Sequence, residues 1–170
     1  MKPLSTASEP LAVHGGADEP SPALRLATFM PYRLNVLATV ISEGLAQLYA
    51  ERFLLDIPGW RVLATIGEFG EITAKSIGQH AHMNKVKVSR AVADLEARGW
   101  IERQQNPDDM RESFLTLTVE GQRNYREIVP LAHSYEARLR ANLNEQEQQI
   151  FDLVIDKILA SVSARETHEN

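Results

Sequence analysis

Four basic side chains and no acidic one lie between residues 73 and 93 of the 170-residue chain. They are Lys75, Lys85, Lys87 and Arg90. Lysine and arginine bind polyanions, because their charge attracts phosphate groups and their N–H donors can also pair with guanine edges. The whole chain carries a net charge of −5, so this segment is a local exception. Since a partner responds to the local field, the segment is a candidate polyanion-binding surface, and a helix face that only contacts solvent is the alternative.

A second candidate group is Asp109-Met110-Arg111, which follows the turn-forming residues Asn106-Pro107-Asp108. An arginine held at the tip of a hairpin can enter a narrow minor groove, where the negative potential of DNA is enhanced. The carboxylate of Asp109 could hold the Arg111 guanidinium in place through paired hydrogen bonds. The alternative is an exposed ion pair that contributes little to stability.

Several other kinds of chemistry are excluded or not expected. The chain has no cysteine, which excludes disulfides, thiol redox sensing and cysteine-ligated zinc. His80 and His82 are two residues apart and face different sides of a helix or turn, so we expect no metal site. We find no glycine-rich phosphate loop and no nucleophile elbow, so we expect neither an enzyme nor a cofactor. With no signal sequence and no membrane span evident, a cytoplasmic location is expected.

The elements that position these residues begin with four predicted helices. Leucine and isoleucine recur at helical spacing from Leu34 to Leu48, which predicts a helix over residues 31–52. A short helix is predicted over 58–68, and Thr73 is a plausible N-cap for another over 73–81. Asn84 caps the fourth, over 84–98, whose buried stripe is Val88, Val92 and Leu95.

A hairpin and two long helices are predicted to follow. Residues 100–104 and 113–117 have the composition of strands and are separated by the turn-forming segment. Thr118 caps a helix over 118–142. Asn144 and Glu147 have the spacing of a capping box, which begins a last helix with an apolar stripe from Ile150 to Val162.

The order of helix, turn, basic helix and strand pair is typical of a winged helix-turn-helix. In such motifs the N-terminal residues of the second helix enter the major groove of DNA, and the hairpin forms the wing. We therefore expect DNA contacts from one residue on the first wing strand, Arg103, and from the start of the second helix: Asn84, Lys85, Lys87, Ser89 and Arg90.

From Pro58 to Gly121 the chain resembles the MarR family. The similarity lies in Trp60-Arg61-Val62-Leu63, Val88-Ser89-Arg90, the residues from Leu95 to Ile101, Asp109-Met110-Arg111 and the residues from Leu115 to Gly121. The flanking helices fit the family layout as well, so the resemblance extends over about residues 30–162.

The resemblance implies a mostly α-helical fold with a small β-hairpin wing. Its expected parts are an N-terminal dimerisation helix (23–57), the winged helix-turn-helix domain (58–118) and C-terminal dimerisation helices (119–170). Residues 1–22, which contain four prolines and a Gly-Gly pair, are expected from their composition to be a disordered tail. The resemblance also implies a homodimer that binds double-stranded DNA at a pseudo-palindromic operator. Arg111 matches the minor-groove arginine of the family, and Asp109 matches its partner.

The resemblance further implies a pocket for a small-molecule effector between the dimerisation region and the DNA-binding lobe. Arginines near the expected pocket suit an anionic ligand, such as an aromatic carboxylate or its coenzyme A thioester. The candidate effector-binding residues are Tyr32, Arg33, Arg52, Trp60, Arg61 and His133. Ion pairs of the dimer interface and core contacts are the alternative for each residue.

These observations predict a sequence-specific transcriptional regulator, and we expect a repressor that its effector releases from DNA. The alternative is a winged helix that docks on another protein without binding DNA. A protein-docking surface would not need four bases and no acid between residues 73 and 93.

The minor-groove hypothesis predicts that Arg111→Ala weakens operator binding by about 1–3 kcal/mol, the usual worth of a good contact. Folding should be unaffected, because the predicted wing tip contributes nothing to a core. Fluorescence anisotropy on a labelled operator duplex measures the affinity, and circular dichroism checks the fold. A folded variant with wild-type affinity would show that Arg111 does not contact DNA.

Overall fold

The structure is a computed structural model that describes residues 23–105 and 112–166, with side chains to residue 162. It is mostly helical with a small three-stranded antiparallel sheet. The chain divides into two compact units, of which the first ends at Leu37 and the second begins at Ala38. The predicted fold class is confirmed.

The N-terminal part of the described chain is helical. A single 3-10 turn, Leu26–Thr28, precedes α1 (Met30–Ala46), α2 (Ala50–Phe53) and α3 (Ile57–Phe69). Asp56 caps α3, because its Oδ1 accepts a hydrogen bond of 2.7 Å from the backbone N–H of Gly59. Pro58 lies in the first turn of α3, where its missing N–H costs no helical hydrogen bond.

A pair of helices joined by a short turn follows β1 (Glu71–Thr73). They are α4 (Ala74–His80) and α5 (Lys85–Ala97). Thr73 caps α4 through Oγ1, which accepts from Ser76 N at 3.2 Å. Asn84 caps α5 in the same way, with Oδ1 accepting from Lys87 N at 2.9 Å. Both caps are where the sequence predicts them.

The wing strands are β2 (Ile101–Gln105) and β3 (Ser113–Leu117), and they pair antiparallel with Ile101 opposite Leu117 and Gln105 opposite Ser113. β1 pairs with the other edge of β3, so the strand order is β1-β3-β2. β1 was not predicted from the sequence, because a three-residue strand that ends in a helix cap has no detectable period-two pattern.

The last two helices are α6 (Val119–Arg140) and α7 (Glu145–Glu166). The capping box at the start of α7 is confirmed: Glu147 N donates to Asn144 Oδ1 at 2.9 Å, and Asn144 N donates to Glu147 Oε2 at 2.8 Å. Arg140 joins the two helices, since two of its nitrogens each lie 3.1 Å from an oxygen of Asp152.

The hydrophobic core lies in the second unit and is formed by α3, α4, α5, α6 and the sheet. The predicted stripe of α5 is confirmed, because Val88, Val92 and Leu95 are at most 2% exposed. Other fully buried side chains of this core are Val62, Leu63, Ile66, Ile77, Leu115 and Ile128.

The prediction of one continuous helix over residues 31–52 is wrong at residues 47–49, where a turn separates α1 from α2. Leu48 N and Tyr49 N donate to carbonyls three residues earlier, which tightens the chain into a turn after Ala46. This turn brings the Tyr49 side chain into the core, where it is 1% exposed. The burial of one large aromatic ring therefore accompanies the early end of α1.

The Tyr49 hydroxyl is buried and has no hydrogen-bond partner within the described residues. The pKa of Tyr49 is raised to about 12, chiefly by burial and also by the nearby Asp56 charge, while Arg61 partly opposes both effects. The neutral phenol is thus strongly favoured in the folded chain, because ionisation would place an anion in the core.

Replacing Tyr49 with phenylalanine removes a buried polar group that lacks a partner. We expect Tyr49→Phe to leave the free energy of unfolding at pH 7 unchanged or to raise it by up to about 1 kcal/mol. Above pH 10 the free energy of unfolding of the wild type should fall relative to that of the variant. The folded wild type keeps the Tyr49 proton up to about pH 12, whereas the unfolded chain releases it near pH 10, so ionisation favours the unfolded wild type. Urea titrations from pH 7 to 12 measure both effects. A less stable variant at pH 7, or parallel pH curves, would contradict this account.

Candidate nucleic-acid interface

The two faces of α5 have opposite roles. Val88, Ala91, Val92 and Leu95 are buried in the core, whereas the residues between them are exposed. Lys85, Lys87, Ser89 and Arg90, which the sequence predicts to contact DNA, all lie exposed on the first half of the helix. The core therefore holds α5 by one face and presents the other, with its polar and basic side chains, to solvent.

Asn84 lies at the start of this surface and also stabilises the first turn of α5. Its side-chain oxygen accepts the Lys87 backbone N–H as the N-cap of α5. The same interaction fixes where the helix begins, and hence where the side chains of Lys85 and Lys87 leave the backbone. A contact from Asn84 to DNA, as predicted, would have to use the rest of its amide group.

The basic residues of this surface lack acidic partners among the described residues. No ion pair involves Lys75, Lys85, Lys87 or Arg90 within that part of the chain. Several arginines elsewhere differ, since Arg52, Arg98, Arg123 and Arg140 each have a carboxylate within salt-bridge distance. Unpaired cations on one exposed surface give it a positive local field.

A cleft of about 670 Å³ lies between α4, α5 and the wing strands. Lys75, Lys85 and Ser89 line it from the two helices, and Arg103 and Glu112 line it from the wing. Val88, Val92 and Met83 contribute apolar surface. An anion that entered this cleft would meet three cations and one carboxylate.

Arg103 is oriented by α5 rather than free. Its Nε and Nη2 donate to the two carboxylate oxygens of Glu96 at 2.7 and 3.0 Å, which is a paired, planar geometry. The pair stays partly exposed, with 47% of the Arg103 side chain and 29% of the Glu96 side chain accessible. A DNA phosphate would have to compete with Glu96 for Arg103. The predicted DNA contact of Arg103 therefore requires its guanidinium either to bind both groups at once or to exchange Glu96 for the phosphate.

The predicted wing-tip residues Asp109 and Arg111 lie outside the described residues. The strands on either side are described, and the Gln105–Ser113 pair brings them together next to this segment. The minor-groove role of Arg111 therefore stays a prediction.

Of the six predicted effector-binding residues, Trp60 has the most informative surroundings. It is half-buried, stacks on Tyr125 with ring centroids 6.4 Å apart, and lies 5.7 Å from the tilted ring of Tyr49. Arg61, the next residue, is exposed and lies 3.4 Å from the Ser42 hydroxyl through its Nη2. These residues form an aromatic cluster (Tyr49, Trp60 and Tyr125) with a guanidinium beside it.

The other four predicted effector residues have different surroundings. Arg52 forms an ion pair with Glu127 of α6 and lies over the Phe53 ring. His133 is exposed, 4.0 Å from Glu136. Tyr32 and Arg33 are exposed on the first half of α1, within the first compact unit.

Four residues of these sites were not predicted from the sequence. Tyr49 and Tyr125 complete the aromatic cluster, and the position of Tyr49 four residues after Leu45 was an available signal of an inward-facing side chain. Glu96 holds Arg103 across the wing, a contact between separate elements that no local pattern reveals. Arg98 joins the end of α5 to the α2 segment by donating to the Phe53 carbonyl at 3.0 Å.

Comparison with known sequences points to one family. Residues 55–113 match the sequence profile of the MarR family. The uncharacterized HTH-type transcriptional regulator YwoH of Bacillus subtilis is 29% identical over 120 residues, which cover 71% of this chain and 86% of that protein. The HTH-type transcriptional repressor IacR of Pseudomonas putida is 24% identical over 157 residues, 92% of this chain and 93% of that protein.

Solved structures agree in fold. A MarR family transcriptional regulator from Silicibacter pomeroyi superposes with a TM-score of 0.69 at 29% identity, covering 80% of this chain and 90% of that one. The Streptomyces coelicolor PcaV regulator in complex with its natural ligand has a TM-score of 0.70 at 22% identity and coverages of 84% and 99%. A mutant of E. coli MarR, complexed with operator DNA, has a TM-score of 0.67 at 23% identity and coverages of 76% and 94%.

Two further observations concern residues 23–105 and 112–166. None of the helices in these ranges combines the length and the hydrophobicity of a membrane-spanning segment. No group of three or more potential metal ligands meets in the same part of the chain. The helix-turn-helix geometry, the sequence profile and the structural similarity agree: residues 55–113 match the MarR family, and the chain has the fold of the winged helix-turn-helix transcriptional regulators of that family.

Proposed function

We propose that this protein is a homodimeric repressor that docks α5 in the major groove of a pseudo-palindromic operator and is released by an anionic aromatic effector. The observation that carries the proposal is the division of α5 between a buried apolar face and an exposed face of cations without acidic partners. An exposed surface of this kind contributes nothing to folding, so its charges are available to a polyanion.

The geometry supports distinct roles within the helix. The Asn84 cap directs the first turn of α5, with Lys85 and Lys87, away from the core. Lysines at the borders of such a face reach phosphate oxygens, and Arg90, one turn later, can pair with a guanine edge. Ser89 is a short polar contact that suits either partner.

The runner-up function is a winged helix that binds another protein. The surface between residues 73 and 93 does not favour this alternative, because it carries cations and no acid, and protein-binding patches bury apolar and aromatic groups at their centres. The operator complex of the structurally similar MarR protein also supports the use of this fold on DNA.

A homodimer through the terminal helices follows from apolar surface that a single chain leaves exposed. Leu34, Leu37 and Val40 of α1 are 43–58% exposed. Residues of α7 are exposed to a similar degree, at 37–57%: Ile150, Phe151, Leu153, Val154, Ile155, Leu159 and Val162. Because soluble monomers rarely expose apolar patches of this extent, we propose that a second copy covers them.

The proposed effector site is the aromatic cluster together with Arg61. Trp60 and Tyr125, which are only partly buried, offer ring surface to an aromatic ligand, and the Arg61 guanidinium can pair with a carboxylate or phosphate. The buried Tyr49 hydroxyl, which lacks a partner, is a hydrogen-bond donor that such a ligand could satisfy. The secondary candidates are Arg52, His133, Tyr32 and Arg33. Arg52 and His133 already lie beside carboxylates of α6, and Tyr32 and Arg33 are exposed on α1.

The DNA-docking role predicts a change in salt dependence. Lys87→Ala should reduce the slope of log K against log salt by about 0.9 for each half-site, because one phosphate contact releases about that number of counterions on B-DNA. Arg126→Ala is the matched control: Arg126 is exposed on α6, outside the helix-turn-helix, and its loss removes the same charge. Anisotropy titrations of an operator duplex at several salt concentrations measure both slopes.

Equal slopes for the two variants would show that Lys87 does not contact phosphate. A triple variant, Lys85→Ala, Lys87→Ala and Arg90→Ala, extends the test to the whole helix. If it bound the operator as tightly as the wild type, the assignment of α5 as the recognition helix would be wrong.

The effector proposal predicts that hydroxycinnamates, benzoates or their coenzyme A thioesters bind the free protein and weaken its operator binding 5–150-fold, a coupling of about 1–3 kcal/mol. Arg61→Ala should reduce ligand affinity and leave operator affinity intact, because Arg61 lies outside α5 and the wing. Calorimetry with and without the operator measures the coupling in both directions, which must agree. If none of these compounds binds, the ligand class is wrong and the DNA-binding proposal stands.

A further inference from the structure

One residue of the exposed face of α5 has the wrong chemistry for a phosphate contact. Val86 is 58% exposed, although Val88 and Val92 of the same helix are buried in the core. It lies between Lys85 and Lys87 and does not line the cleft between α5 and the wing. An exposed β-branched residue lowers helix propensity, so its presence in this turn needs another explanation.

Helical geometry places Val86 at the centre of the outward face. Successive residues are rotated by about 100° around the axis, so Val86 points almost directly away from Val88. Arg90 and Ala93 follow it at i+4 and i+7 and share its line along the helix. Lys85 and Lys87 are rotated to either side of that line, towards the borders of the face.

This arrangement determines what each side chain can reach in a groove. The central line of a docked helix faces the base edges, and the side chains at its borders face the phosphates on the groove walls. Valine has no hydrogen-bonding group in its side chain. The apolar group that a base pair displays in the major groove is the C5-methyl of thymine.

We infer that Val86 contacts a thymine methyl in each half-site of the operator and so determines the preferred base at that position. This inference rests on the proposed docking of α5. Burying one methyl group against Val86 should change affinity about fourfold in each half-site. When the methyl group is removed from both half-sites of a two-fold operator, the affinity should fall about fifteenfold.

Deoxyuridine provides the test, because it differs from thymidine only by the missing methyl. The probe is the duplex that the wild-type protein enriches from a random-sequence DNA library, with each thymine replaced by uracil in both half-sites, one position at a time. The proteins are wild type, Val86→Ala and the control Val119→Ala, whose target is 87% exposed at the start of α6. Alanine in place of an exposed valine retains the helix, and thermal unfolding verifies it.

The expected result is one position at which uracil weakens wild-type and Val119→Ala binding about fifteenfold. There Val86→Ala should bind thymine and uracil operators equally, which completes a double-mutant cycle. A wild type indifferent to uracil at every position, or a Val86→Ala protein that retains full discrimination, would overturn the inference and leave the docking of α5 in place. If no duplex were enriched and the protein bound no DNA specifically, the proposed function and this inference would both fail.

Discussion

The fold depends on one constraint: α5 must bury one face completely and leave the other unused by the core. Val88, Val92 and Leu95 pack with α3, α4 and the sheet, and their near-complete burial fixes both the position and the rotation of the helix. The Asn84 cap sets where the helix begins, and Arg98 ties its end to the Phe53 carbonyl. Because none of these contacts uses the outward face, the composition of that face is free to suit a partner.

Much of this arrangement could be predicted from local sequence signals. The caps at Thr73, Asn84 and Thr118 are short polar side chains just before apolar periodic segments, and each accepts the expected backbone N–H. The stripe of α5 and the capping box of α7 also depend only on spacing. These features were predictable because the residues that form them are within about four positions of one another.

What escaped prediction depends on contacts between elements. β1 exists because β3 supplies its hydrogen-bond partners, and α1 ends early while Tyr49 packs in a core built by later parts of the chain. The Glu96–Arg103 pair likewise joins a helix to a strand, and it modifies the predicted role of Arg103 by giving it a carboxylate partner. The exposed apolar faces of α1 and α7 have the spacing of core stripes, and the sequence alone cannot show which surface covers them.

The most direct test of the central claim is methylation interference on the operator duplex enriched from a random library. Dimethyl sulfate modifies guanine N7 in the major groove and adenine N3 in the minor groove, so it reports which groove the protein occupies. Docking of two α5 helices predicts that N7 methylation blocks binding in two clusters about 10 bp apart, related by two-fold symmetry. Binding that tolerates N7 methylation at every guanine, or interference confined to a single unsymmetrical cluster, would contradict the account.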